Sequence, residues 1–144
     1  MKFSVIVSAV LVAGALAYAE DADRTKLYGT WQSPQAQNAV WTIQEQGGGV
    51  HITNSQGEKK IAEFVCDLGK ECESKDDGKK VKVTMYFNGP KLVILETRGE
   101  NVLKRRIGLA ESGSDLQIEN IPVSPSGKTE TIQLTRVQTT ASAR

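Results

Sequence analysis

One histidine, His51, serves the whole chain, and Cys66 and Cys72 are its only cysteines. A histidine-based zinc centre or a Ser–His–Asp triad would have to be built on His51, and no nucleophile stands near it in sequence. There is no Gly-x-Ser-x-Gly elbow and no phosphate-cradling glycine loop. After residue 19 the longest apolar run is Leu92 to Leu95, far short of the about 20 residues that a membrane helix needs. Net charge is small too: 18 Lys plus Arg face 17 Asp plus Glu, so no global field draws in nucleic acid or an anionic membrane. The only compact basic run, Lys104-Arg105-Arg106, lacks interleaved aromatics. These absences leave no motif for catalysis, a cofactor, nucleic-acid binding or a membrane anchor. What remains is a binding protein or a scaffold.

The first nineteen residues read as a processing segment. Lys2 supplies a positive start, Phe3 to Leu16 an apolar stretch, and Ala17-Tyr18-Ala19 a small-x-small cleavage pattern. Cleavage near Ala19 predicts a secreted or periplasmic protein beginning at Glu20. Removing nineteen of the 144 residues leaves 125, enough for one domain with one core. In an oxidising compartment Cys66 and Cys72, six apart, are expected to form a disulfide. The Cys-x-x-Cys spacing of a redox pair is absent.

From residue 28 onward apolar and polar residues alternate with the period of two that marks strands. Nine strands are expected: Tyr28–Ser33, Ala39–Gln46, Gly49–Asn54, Glu58–Cys66, Lys80–Asn88, Lys91–Thr97, Asn101–Leu109, Asp115–Ile121 and Glu130–Val137. Alternation is clearest where Val81, Val83, Met85 and Phe87 share a face opposite Lys82, Thr84 and Tyr86. Gly47-Gly48-Gly49, Gln56-Gly57, Asp77-Gly78, Asn88-Gly89-Pro90 and Arg98-Gly99 supply turns. Pro122 and Pro125 are assigned to the loop before the last strand. One short helical turn is expected near Pro34 to Asn38. Short connections between neighbours predict an all-β, antiparallel up-and-down meander closing into an 8–10-stranded barrel, since closure removes exposed edges. Residues 20–27 and 139–144 read as polar, flexible ends around a single domain over 28–138.

Gly29-Thr30-Trp31 opens the first strand and Arg136 lies near the end of the last. If the barrel closes, the guanidinium can stack over the indole and bond nearby carbonyls, locking one end. On these residues the chain resembles the lipocalin and calycin group, whose first strand carries Gly-x-Trp and whose late arginine packs on that tryptophan. The resemblance implies a lipocalin-like exported barrel of the small bacterial kind. The group's Thr-Asp-Tyr type loop, N-terminal helical turn and late long helix have no counterpart in the sequence.

Candidate site residues follow from the inward faces. Val83, Met85, Phe87, Leu103 and Arg105 are expected to line a cavity for a small apolar or amphipathic ligand, with Trp41 and Phe64 as further wall residues. Arg105 shares the face of Leu103 and Ile107, so it either anchors an anionic head group or pairs internally with Glu96. His51 is expected on an outer face. Asp67, Glu71, Glu73, Asp76 and Asp77 gather near the cysteines; a calcium site is one reading, solvated turn charges the other. Glu63, Glu96 and Glu119 have no spacing that makes a hydrolytic pair. The alternative to ligand binding is a protein-interaction module with a filled barrel. Calycin-type inhibitors of exported proteases provide its pattern, with Glu20–Lys26 as the presented arm.

Overall fold

The computed structural model describes residues 23–36 and 38–137. Inward-facing branched and aromatic residues, recurring at every second position, drive the chain into ten antiparallel strands. These are β1 Gly29–Gln32, β2 Ala39–Gln46, β3 Gly49–Gln56, β4 Lys59–Asp67, β5 Glu71–Asp76, β6 Lys79–Asn88, β7 Lys91–Arg98, β8 Asn101–Leu109, β9 Asp115–Ser124 and β10 Glu130–Arg136. Each strand pairs with its sequence neighbour, and β1 pairs with β10, closing the barrel. This is the expected meander with one strand more. The extra strand is β5, whose residues read as turn charges because only Cys72, Ser74 and Asp76 face inward. Pro122 falls inside β9, opposite Leu103, where a bulge at Val102/Leu103 loosens the ladder. That bulge is how a residue without an N–H is accommodated in a strand.

Trp31, Ile43, Ile52, Phe64, Met85, Leu92, Ile94, Ile107, Leu116, Ile118 and Leu134 fill the interior and are fully buried. Each such side chain contributes about 1.5–3 kcal/mol through removal from water. Most of the lumen is therefore solid core.

One end of the barrel is closed by the N-terminal segment. Residues 23–25 are helical, and Leu27 is 1% exposed, plugged into the core. Arg24 donates Nε–H to the Gly89 carbonyl in the β6–β7 turn at 2.8 Å and stacks over Phe87. The expected helical turn thus lies before β1; residues 34–36 instead bend around the Ser33 hydroxyl, which accepts from the Gln35 and Ala36 amides. The N-terminal helical turn absent from the sequence reading is present after all. Its only apolar anchor, Leu27, stands too isolated to show a helical period. The processing segment and residues 139–144 lie outside the described residues.

Trp31 and Arg136 meet as expected, in register across β1 and β10. Arg136 sits 4.1 Å from the indole centroid and donates to the Lys26 and Tyr28 carbonyls at 2.6 and 3.0 Å. Trp31 donates its Nε1–H to the Leu27 carbonyl at 3.0 Å. Gly29 is required here: its φ is +140°, and a Cβ would stand 2.6 Å from Arg136 Nη1. Gly49 is required by close approach, because a Cβ there would stand 1.9 Å from the Cys66 carbonyl oxygen.

The β4–β5 ladder pairs only Ala62 with Asp76 and Glu63 with Lys75. Continuing that register sets Cys66 opposite Cys72, and their disulfide, with Cα atoms 5.7 Å apart, ties the rest of the two strands. Replacing both cysteines by alanine should cost about 2 kcal/mol on the loop-entropy scale. Urea unfolding with and without reductant checks this; an unchanged midpoint would show that the ladder holds without the staple.

Candidate functional site

The end opposite the N-terminal plug is bounded by the β5–β6, β7–β8 and β9–β10 turns. There the inward faces turn polar. Strand parity brings Glu96 and Arg98 to the same face of β7, and Glu96 lies opposite Leu103 of β8. Two residues further along β8, Arg105 points inward between Ile94 and Asn120. Asp76 ends β5 just before the Asp77-Gly78 turn.

These four charged groups converge. Arg105 holds Glu96 through Nη1 and Asp76 through Nη2, the latter at 3.2 Å. Arg98 reaches both carboxylates with Nη2 at 3.4 Å and donates to the Asp76 carbonyl at 3.2 Å. Arg105 also reaches across the lumen to the Phe64 ring on β4, 5.5 Å from its centroid. Side-chain exposure falls from 38% at Arg98 to 14% at Asp76, 11% at Arg105 and 4% at Glu96. The cluster therefore forms a floor across the barrel, with Arg98 at its upper edge.

Burial pushes Glu96 up to about 7, and its hydrogen bond to the Asp76 carboxylate adds to the shift against the pull of Arg105. Burial would also raise Asp76, but the hydrogen bond from Glu96 and the charges of Arg105 and Arg98 outweigh it. They hold Asp76 below its ordinary value. Of the two interacting carboxyls, Glu96 is the one that burial favours in its protonated form.

Above this floor opens a cavity of about 510 Å³, lined by Asp76, Asp77, Glu96, Arg98, Asn101, Val102, Leu103, Pro122, Ser124 and Pro125. Its wall on the β8–β9 side is mainly apolar, with Val102, Leu103, Pro122 and Pro125 beside Asn101 and Ser124, and its floor is ionic. Below the floor, next to Arg105 in register, Asn120 buries its Oδ1 without a partner.

The five residues expected to line a ligand cavity are not gathered in one place. Leu103 lines the cup and Arg105 supports its floor. Val83 and Met85 are sealed in the packed core, and Phe87 lies at the plugged end beneath Arg24. Trp41 and Phe64 are likewise core. The Arg105–Glu96 pair forms, as one of the two readings of Arg105 required. Arg98 was missed, and Asp76 was named only as a candidate calcium ligand or solvated turn charge, not as a partner of Arg105. Arg98 was legible as the residue two after Glu96 on the same face, and Asp76 as the residue flanking a two-residue hairpin turn.

His51 is half-buried on the outer face, 2.9 Å from Glu63 Oε2, which also takes Lys60 at 3.0 Å. The hydrogen bond from His51, then that from Lys60, lowers the Glu63 carboxyl. Glu119 pairs outside with Lys91 at 3.6 Å, so Glu63, Glu96 and Glu119 do not come together. Asp67, Glu71, Glu73 and Asp77 are exposed, and among the described residues no three His, Cys, Asp or Glu side chains converge as metal ligands would.

No protein-family model matches the chain, and no curated protein sequence does. Solved structures do match in fold. A Schistosoma mansoni fatty acid binding protein in complex with arachidonic acid is 14% identical, with a TM-score of 0.66 over 81% of this chain and 99% of that one. A secretory abundant heat soluble protein of Ramazzottius varieornatus is 12% identical, with a TM-score of 0.64 over 78% of this chain and 96% of that one. Secretory abundant heat soluble protein 4 of the same organism is 16% identical, with a TM-score of 0.61 and the same coverage. At these identities the likeness is one of fold, and it is consistent with a lipocalin-like barrel.

Proposed function

We propose that this chain is an exported, non-enzymatic binding protein that seats a small amphipathic ligand in the cup at the open end of its barrel. The observation that carries this reading is the cup itself. Its about 510 Å³ falls within the range of about 300–1,000 Å³ usual for small-ligand sites. An apolar wall stands over a floor of fixed charges, and that pairing suits a molecule with a greasy body and one polar end. The similar Schistosoma mansoni barrel was solved with arachidonic acid. Here the deep lumen is occupied by side chains, so the ligand would sit shallow, above Arg105.

Export rests on the leader-like first nineteen residues and on the disulfide, which an oxidising compartment favours. The inhibitor alternative draws less support. Arg24 and the Lys26 carbonyl, both in its presented arm, are engaged in closing the barrel.

Native mass spectrometry of the chain purified from an oxidising compartment tests the reading. The expected spectrum starts at Glu20 and carries a small-molecule adduct, which Leu103→Trp removes by filling the cup. A bare protein, or an adduct indifferent to Leu103→Trp, would overturn ligand binding in the cup.

A further inference from the structure

We infer that the ligand's polar end is a monoanion, and that it enters the cup together with a proton shared by Asp76 and Glu96. This rests on the reading above and adds the head-group class and its coupling to pH.

The argument begins with geometry. One guanidinium, that of Arg105, holds both carboxyls through its two terminal nitrogens, and Arg98 touches the same two groups through Nη2. Two carboxyl groups that share one nitrogen of Arg98 as well as the Arg105 guanidinium lie close together, and they can hydrogen-bond to each other only if one keeps a proton. With that proton in place, the floor carries two positive charges and one negative. A single uncompensated positive charge is left beneath a largely apolar wall. An oxyanion is the ligand group that neutralises it.

The surrounding strands supply no other counter-charge. Facing the pair are Phe64 from β4, Val83 from β6, Leu103 from β8, and Asn120 and Pro122 from β9. Lys79, opposite Asp76 in register, and Asp77, in the turn between them, are exposed at the rim, where solvent and salt screen their opposite charges. Arg98 offers the docking edge. Its hydrogen bonds and ion pairs among the described residues all run through Nη2, which leaves Nη1 and Nε for an incoming anion.

Loss of the proton removes that positive charge. With both carboxyls ionised the floor is neutral, and the second carboxylate repels a head group above it. Burial holds that proton on Glu96 up to about pH 7. Anion affinity should therefore fall as pH rises through neutrality.

Fluorescence titration of the signal-free chain between pH 6.0 and 8.5 tests this with two probes. 1-Anilinonaphthalene-8-sulfonate keeps its charge throughout this range, and N-phenyl-1-naphthylamine has similar rings without the sulfonate. If only the protonated floor binds the anion, the sulfonate Kd rises by up to about 30-fold across the range. The neutral probe should change by less than about twofold. Glu96→Gln keeps the floor positive at every pH, so it should retain tight sulfonate binding at pH 8.5. Arg98→Gln should weaken the sulfonate about tenfold and spare the neutral probe, consistent with loss of one charge-assisted contact. If neither probe binds the cup, the ligand-binding reading falls and this inference with it. If the neutral probe binds while sulfonate affinity changes by less than about threefold, or rises with pH, the cup stands as a ligand seat and the proton coupling is overturned.

Discussion

Trp31→Ala should destabilise the barrel by about 3–5 kcal/mol, a large part of the about 5–15 kcal/mol that holds a domain of this size. Three losses coincide at that position. The indole is fully buried in the core, its Nε1–H satisfies the Leu27 carbonyl, and its face carries the Arg136 guanidinium. Arg136 in turn holds the carbonyls of Lys26 and Tyr28, so removing the ring also loosens the segment that plugs the closed end. Urea unfolding followed by circular dichroism reads the change, and Trp41 remains as a fluorescent reporter. Trp31→Phe should lose less than half as much, because most of the apolar volume stays. A double-mutant cycle with Arg136→Met should show a coupling of about 0.5–2 kcal/mol. An alanine variant within about 1 kcal/mol of the parent would mean that the plugged end contributes little to global stability.

This lock was legible because its parts are rare residue types at the two ends of the meander. Closure of the barrel brings positions 31 and 136 together whatever lies between them. The same logic explains what was missed. β5 reads Glu71-Cys72-Glu73-Ser74-Lys75-Asp76, with no large apolar residue at any position, so hydrophobic alternation is silent there. The turn that follows was not silent. Asp77 and Gly78 both take positive φ, +52° and +75°, as a two-residue hairpin turn demands. Such a turn needs a strand on each side, and that strand ends at Asp76.

The cup was half legible for a related reason. Alternation assigns Glu96 and Arg105 to the inward face, and a buried arginine requires a partner. That the pair sits at the mouth, and acquires Asp76 and Arg98, depends on strand tilt and on the β5 register. Neither can be read from period-two patterning. Nor could alternation tell a hollow lumen from a filled one. Inward Val83 and Met85 look the same from sequence whether they line a cavity or, as here, meet Phe64 and Ile94 in a packed core.

The floor of the cup should also leave its mark on folding, independent of any ligand. Folded Glu96 keeps its proton to about pH 7, whereas in the unfolded chain it releases it near 4.5. Between those values the folded protein binds more protons than the unfolded one, so the stability from this group falls as pH rises. The contribution is fully present below about 4.5 and lost above about 7. Asp76 acts in the opposite sense, its contribution disappearing as pH falls below 3.8, outside this window. Glu96→Gln removes the titration and keeps the contacts, because the amide donates to the Asp76 carboxylate and accepts from Arg105 as the protonated acid does. Relative to the parent, the variant should therefore gain on the order of 3 kcal/mol in unfolding free energy between pH 4.5 and pH 8. Most of that gain should fall between pH 5 and 7. Urea midpoints of the two proteins at four pH values across the window measure it. The His51–Glu63–Lys60 cluster on the outer face is common to both and cancels. A difference between the two proteins that stays flat with pH would mean that Glu96 is ionised throughout, its charge already balanced by the two arginines.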